Sequence, residues 1–268
     1  MQSFKLSQSE LETYQKDGFL VRSSVFSNEE ISALAKATED ATLQAHALKN
    51  KGHTYILDGK RFIDYKSITV QYEPGEMDHK IKVIEPVHSL APLLEELIKD
   101  HRIVHPMYSI LGTENISLWT DKLNLKEAKG SGFGWHQDSP YWVHDCDHVD
   151  SLPNVFVAFD EATRTNGCLR IIPGSHKNGC LPGKDDGTQL GGFYTSEDVF
   201  DEADAVELEI PAGSLVFFDP HSIHGSNANT TIKARRAMVI TYQPSAQPSL
   251  KSKETYPINA QLSHYRHR

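Results

Sequence analysis

This 268-residue sequence predicts a mainly β fold with flanking helices: a jelly-roll, cupin-like barrel (a double-stranded β-helix) supported by N-terminal helices. Helical signatures are confined to the N-terminal part. Short β-branched or aromatic runs punctuated by Gly, Pro or Asn fill 115–242, and no helical pattern separates them as a doubly wound sheet would require. The expected layout is one domain over 1–268, with a helical part to about 112, a barrel core over about 113–245 and a tail over 246–268.

Two capping boxes open the first helices, Ser7 with Glu10 and Ser27 with Glu30; in each, a side-chain oxygen and a carboxylate satisfy orphan N–H groups reciprocally. Beyond the second box, Ile31, Leu34, Ala37, Ala41, Ala45 and Leu48 recur at spacings of three and four, an apolar stripe that must find a partner. A third helical segment, 89–99, carries Leu90, Leu93, Leu94 and Leu97. Strands are expected at 115–124, 154–160, 168–172, 206–210, 214–218 and 236–242, and two earlier runs, 61–65 and 67–71, extend one of the sheets. The segment 173–205 holds six glycines and no sustained pattern, which leaves two readings open, a functional lid over a bound substrate or a disordered loop. Elsewhere, disorder is expected only over 257–268.

Lys and Arg number 27 against 36 Asp and Glu, and the net charge of -9 argues against a nucleic-acid partner. No run approaches the roughly 18–20 apolar residues of a membrane span, and the N-terminus lacks a basic-then-apolar leader. Cys146, Cys168 and Cys180 form no CxxC pair, so neither a disulfide framework nor a cysteine zinc site is indicated. A cytoplasmic, soluble protein with no membrane or nucleic-acid partner is the expectation.

The chemistry concentrates in Trp135-His136-Gln137-Asp138. On a strand, residues i and i+2 share a face, so His136 and Asp138 can offer an imidazole and a carboxylate to one metal ion. Alone, the pattern competes with a solvated loop or a hydrogen-bonded core histidine in a chain with 14 histidines. About 80 residues later comes Asp219-Pro220-His221-Ser222-Ile223-His224, and Arg235 lies 11 residues beyond His224. A hairpin turning at Asn229 and Thr230 would set His224 directly opposite Arg235. Two histidines and a carboxylate with open positions form the facial triad of non-haem Fe(II) oxygenases, and a guanidinium suits a bidentate grip on a carboxylate. His221 rivals His224, and Arg236 rivals Arg235; periodicity leaves both choices open. His144 and His148 share the i, i+4 spacing of a zinc helix, but Asp145 stands where HExxH needs Glu and the run has no apolar face, so a solvated loop is the better reading.

In their order along the chain, these motifs resemble the phytanoyl-CoA dioxygenase family of Fe(II)- and 2-oxoglutarate-dependent oxygenases, which includes ectoine hydroxylase. The resemblance runs from about Leu6 to Tyr242. It rests on Tyr14, Asp17-Gly18-Phe19-Leu20-Val21, Phe26-Ser27, His136-Gln137-Asp138 with Tyr141, Asn166-Gly167-Cys168-Leu169, Pro173-Gly174-Ser175-His176, Pro211, Gly213, and His224-Gly225-Ser226 with Arg235. It implies His136, Asp138 and His224 as the catalytic iron ligands, preferring His224 to His221 and Arg235 to Arg236. Arg235 and Ser226 would hold the distal carboxylate of 2-oxoglutarate, Asn124 and Lys122 would make further polar contacts to it, and Phe156 stands where relatives often carry Trp. Tyr141, Trp142 and Gln137 are the substrate-side candidates, while His176 matches a structural turn. The implied reaction consumes O2 and 2-oxoglutarate at Fe(II), hydroxylates or otherwise oxidises a small molecule, and releases succinate and CO2.

Two other readings compete with this one. A non-catalytic cupin-like binding domain has no need of three metal ligands and the arginine together, and a metal-dependent isomerase or hydrolase on a similar barrel leaves Arg235 unexplained. Phytanoyl-CoA itself is disfavoured as substrate because no basic cluster suits the CoA phosphates. Trp142 with the carboxylates of Asp145, Asp147 and Asp150 would suit a cationic substrate, but an ordinary solvated acidic loop is favoured.

Overall fold

In a computed structural model, which describes residues 4–263 and 265, the helices begin where the capping boxes place them. Helix α1 (Gln8–Asp17) starts at Ser7, whose Oγ accepts from the Glu10 N–H while the Glu10 carboxylate accepts from the Ser7 N–H. Helix α2 (Asn28–Ala47) repeats the arrangement with Ser27 and Glu30, and all six residues of its apolar stripe are buried. Leu34 has no solvent exposure, so Leu34→Ala is expected to cost about 2–5 kcal/mol, read as a lower urea midpoint. Helix α3 (Pro92–Leu97) is shorter than the segment expected there. Helix α4 (His101–Leu111), capped by Asp100, is an additional helix and accommodates Pro106 in its interior.

Five strands lie in the stretch read as helical: β1 (Phe19–Arg22), β2 (His53–Leu57), β3 (Lys60–Tyr65), β4 (Ile68–Tyr72) and β5 (Ile81–Glu85), of which β3 and β4 are the two anticipated runs. The remainder are β6 (Ile116–Lys126), β7 (Phe133–His136), β8 (Asn154–Ala158), β9 (Leu169–Ile171), β10 (Val206–Leu208), β11 (Leu215–Phe218), β12 (His224–Ser226), β13 (Arg235–Pro244) and β14 (Pro257–Ile258). The mainly β architecture therefore holds. One sheet runs β1-β11-β8-β13-β6-β5-β4-β3-β2, with β14 added to β6, and the other runs β10-β9-β12-β7. Every named strand pairing is antiparallel, and from β6 onward the chain crosses repeatedly between the sheets.

Alternation sorts the side chains of the large sheet. Val155, Val157, Leu215, Phe217, Met238 and Ile240 join the core that contains Leu34 and the other helix residues. Their neighbours Phe156, Ala158, Val216, Phe218, Ala237 and Val239 pack instead with Leu169, Ile171 and Leu208 of the small sheet. Both faces of β8, β11 and β13 are thus covered, which is why these strands read as continuous apolar runs.

Disorder over 257–268 does not hold for the residues described. β14 pairs with β6, Gln261 exchanges backbone hydrogen bonds with His101 and Lys99, and buried Tyr265 donates its hydroxyl to Asp100. This burial and pairing offset the entropy of the chain end. His264, Arg266, His267 and Arg268 fall outside the described residues. Segment 173–205 carries three short 3-10 turns and is tied to β7, Thr195 N–H donating to Trp135 O at 2.9 Å. Among the described residues no helix is long and apolar enough to cross a membrane.

Candidate active site

His136 is the last residue of β7, whereas Asp138 has a helical backbone (φ −79°, ψ −29°) at the start of the turn Ser139–Tyr141. The two are therefore not on one strand, as the spacing suggested; the chain turns and brings the side chains together. The N–H groups of Asp138 and Ser139 both donate to Pro220 O, at 3.0 and 3.1 Å, which pins this turn to the segment entering β12. There His224 pairs directly with His136 across the small sheet, their ring centroids 4.2 Å apart. The ligand-capable atoms of His136, Asp138 and His224 all lie within 4.8 Å of one another.

Each imidazole is held by its Nδ1–H, which donates to Gly134 O at 2.7 Å in His136 and to Ser222 O at 2.9 Å in His224. That fixes the tautomer with the Nε2 lone pair free. Burial, then the neighbouring His224, pulls His136 down to about 3, and burial also lowers His224. Burial pushes the Asp138 carboxyl up, but Lys122 and the two imidazoles outweigh it and hold it below its ordinary value. Two neutral imidazoles and a carboxylate are the protonation states a divalent cation requires. Lys122 Nζ lies 3.2 Å from Asp138 Oδ1.

The expected hairpin between His224 and Arg235 is absent. His224 belongs to the small sheet, and Arg235 pairs with Lys126 of β6 in the large one, so the two reach one cavity from different sheets. Arg235 is only 2% exposed; its Nη2 donates to Gly167 O at 3.0 Å, while Nε and Nη1 have no partner. Burial pulls it down to about 10, so it stays charged at neutral pH. Gly167 (φ +77°) must be glycine, since a Cβ there would sit 2.2 Å from Asn227 O. The ring of Phe156 lies 5.5 Å from the guanidinium carbon.

The cavity, about 430 Å³, also receives Ser226, Asn124, Lys122, Tyr141 and Trp142. Asn124 Oδ1 is buried without a partner. Lys126, which the sequence did not single out, donates to Ser226 Oγ at 2.7 Å and to the carbonyls of Gly167 and Asn227. Burial and then Arg235 push it down to about 6. Only the register of β6 against β13 could have identified it.

Gln137 is a correction. It is fully buried, donates to Gly179 O and His221 O, and accepts from Leu181 N–H, so its side chain is spent on loop structure and lies off the cavity lining. The turn that brings the His136 and Asp138 side chains together leaves that of Gln137 facing the carbonyls of Gly179 and His221 instead. The rivals are engaged elsewhere: His221 bonds Ser139 Oγ and Asp150 Oδ1, both at 2.8 Å, and Arg236 grips Asp160 through Nε and Nη2. His144 is exposed, and His148 bonds Gln243 Oε1. Of the carboxylates in that loop only Asp145 lines the cavity, and it lies 3.3 Å from Lys253, so the loop offers a cationic substrate no free charge.

A donor set of this kind leaves positions open on the metal, and on an antiparallel framework it is that of dioxygenases using Fe(II) and 2-oxoglutarate, the class to which this chain belongs. More particularly, the chain belongs to the phytanoyl-CoA dioxygenase (PhyH) family, whose profile matches residues 14–237. Ectoine dioxygenase of Bordetella bronchiseptica is 29% identical over 261 residues, covering 88% of this chain and 75% of its own length. A probable alpha-ketoglutarate-dependent hypophosphite dioxygenase of Stutzerimonas stutzeri is 28% identical over 233 residues, covering 85% and 76%. The crystal structure of EctD from S. alaskensis with bound Fe has a TM-score of 0.72 at 22% identity, covering 96% of this chain and 88% of that one, a likeness of fold.

Proposed function

We propose that this chain hydroxylates a small molecule at Fe(II) held by His136, Asp138 and His224, with 2-oxoglutarate anchored by Arg235, and that strands β6 to β13 form a jelly-roll double-stranded β-helix around the site. Bound together, Fe(II) and 2-oxoglutarate supply an oxidative decarboxylation by O2 that yields succinate and CO2 and places one oxygen atom in a C–H bond of the substrate. The protein's part is positional. The carbonyls of Gly134 and Ser222 aim the two imidazoles, and Lys122 keeps Asp138 ionised. Arg235 with Ser226 receives the distal carboxylate, Lys126 orienting the Ser226 hydroxyl, and Asn124 and Phe156 complete the pocket. Tyr141 and Trp142 exclude water beside the metal ligands.

The observation that carries this reading is Arg235: a buried guanidinium with two unpartnered nitrogens in the cavity of the triad. Such a charge is costly unless a ligand carboxylate completes it, and a hydrolase leaves it unexplained. Protein reconstituted with Fe(II) is expected to convert 2-oxoglutarate to succinate, with stimulation by its substrate. Ectoine and hypophosphite, the compounds in the relatives' names, are the first to test. Tight binding of 2-oxoglutarate with no succinate under any condition would support the binding-domain alternative instead.

A further inference from the structure

Resting on that oxygenase reading, we infer that the substrate is a small organic anion, its acid group met by an unmatched ammonium on the side of the cavity that carries Lys60 and Lys251. Although the chain carries a net charge of -9, the cavity of the triad is lined by five basic side chains against three carboxylates, those of Glu85, Asp138 and Asp145. Most of these charges are already matched. Lys122 lies 3.2 Å from Asp138, Asp145 lies 3.3 Å from Lys253, and Lys82 lies 3.9 Å from Glu73. Arg235 is reserved for 2-oxoglutarate.

Two cations remain. Lys60 Nζ donates to the Tyr194 hydroxyl at 2.9 Å, and Lys251 Nζ donates to Thr69 Oγ1 at 3.2 Å. Both lysines are half-buried, and neither has a carboxylate within ion-pairing distance among the described residues. The one lining carboxylate still unmatched, Glu85, accepts from Thr120 Oγ1 at 2.8 Å. Filling the site with Fe(II) and 2-oxoglutarate does not remove the excess, because the two charges of the metal offset the two carboxylates while Arg235 adds its own.

Position agrees with charge. Lys60 opens β3 and Lys251 follows β13, so both reach the cavity from outside the β6–β13 strands that carry the triad and Arg235. They reach the same cavity as the rings of Tyr141, Trp142 and Tyr194, which suit a carbon skeleton. In such a partly dry cavity an ammonium–acid contact is stronger than in water, and a lysine left without one is unfavourable.

The test is calorimetric titration under anaerobic conditions into protein holding Fe(II) and 2-oxoglutarate. The probes are hexanoate, hexyl phosphate, hexanamide and hexylamine, with benzoate, phenyl phosphate, benzamide and benzylamine as the aromatic set. At least one acid is expected to bind tenfold or more tightly than the amide and amine of its skeleton. Lys60→Gln with Lys251→Gln is expected to remove that preference, and Lys60→Arg with Lys251→Arg to keep it. An amine or amide bound as tightly as its acid, acid binding unchanged in the Gln pair, or no binding by any acid overturns the inference. Failure of Fe(II) and 2-oxoglutarate to assemble on the protein overturns the oxygenase reading instead. In that event the same titration on metal-free Arg235→Ala protein, where no acid is held at the arginine, still decides the charge of the ligand.

Discussion

Substituting Ala for His136, Asp138 or His224 is expected to lower iron affinity and 2-oxoglutarate turnover by about a hundredfold or more, with the sheets still formed. Disturbing a group that merely orients a ligand commonly costs about 10- to 100-fold, so removal of one of three donors sets that range as a floor. The three variants should differ in metal-free stability. His136→Ala and His224→Ala delete neutral rings, each tied to a backbone carbonyl two residues away. Asp138→Ala instead leaves Lys122 without the carboxylate 3.2 Å from it, so it should show the lowest urea midpoint of the three. Iron titration by calorimetry and succinate release check the first part. Full turnover in any one variant would remove that residue from the metal site.

What was legible in the sequence is what local chemistry decides. The capping boxes at Ser7 and Ser27 each satisfy their own N–H groups within four residues, and the stripe on α2 needs only the helical repeat to be read. The pair His136 and Asp138 was found for the same reason, although the chain turn, and not strand alternation, brings them together. What was hidden depends on register between distant strands. Nothing near His224 says that it faces His136 across the small sheet while Arg235 enters from the large one. Lys126, Lys60 and Lys251 were missed because they meet the site only after β3, β6 and the chain beyond β13 are assembled. Helix α4 is not among the expected helices; it carries Pro106 in its interior, a residue that reads as a helix break, while its apolar residues Ile103, Val104 and Met107 are buried.

Arg235→Ala is expected to weaken 2-oxoglutarate binding at least tenfold while leaving Fe(II) affinity near its original value. A hydrogen bond to a charged group is worth about 1.5–3 kcal/mol, and two unpartnered guanidinium nitrogens are available for a carboxylate. The same substitution should not destabilise the ligand-free protein. It removes a buried charge that has one hydrogen bond, to Gly167 O, so Arg235→Met is expected to hold or raise the urea midpoint even as co-substrate affinity falls. Arg236→Ala should do the reverse. Its side chain, one position along β13, faces away and ties Asp160 to Ala35 O and Glu39 of α2, so its loss lowers stability and spares 2-oxoglutarate binding. Arg235→Lys keeps the charge but not the planar fork and should fall between wild type and Ala. Weak 2-oxoglutarate binding in Arg236→Ala together with normal binding in Arg235→Ala would mean that the opposite face of β13 meets the co-substrate.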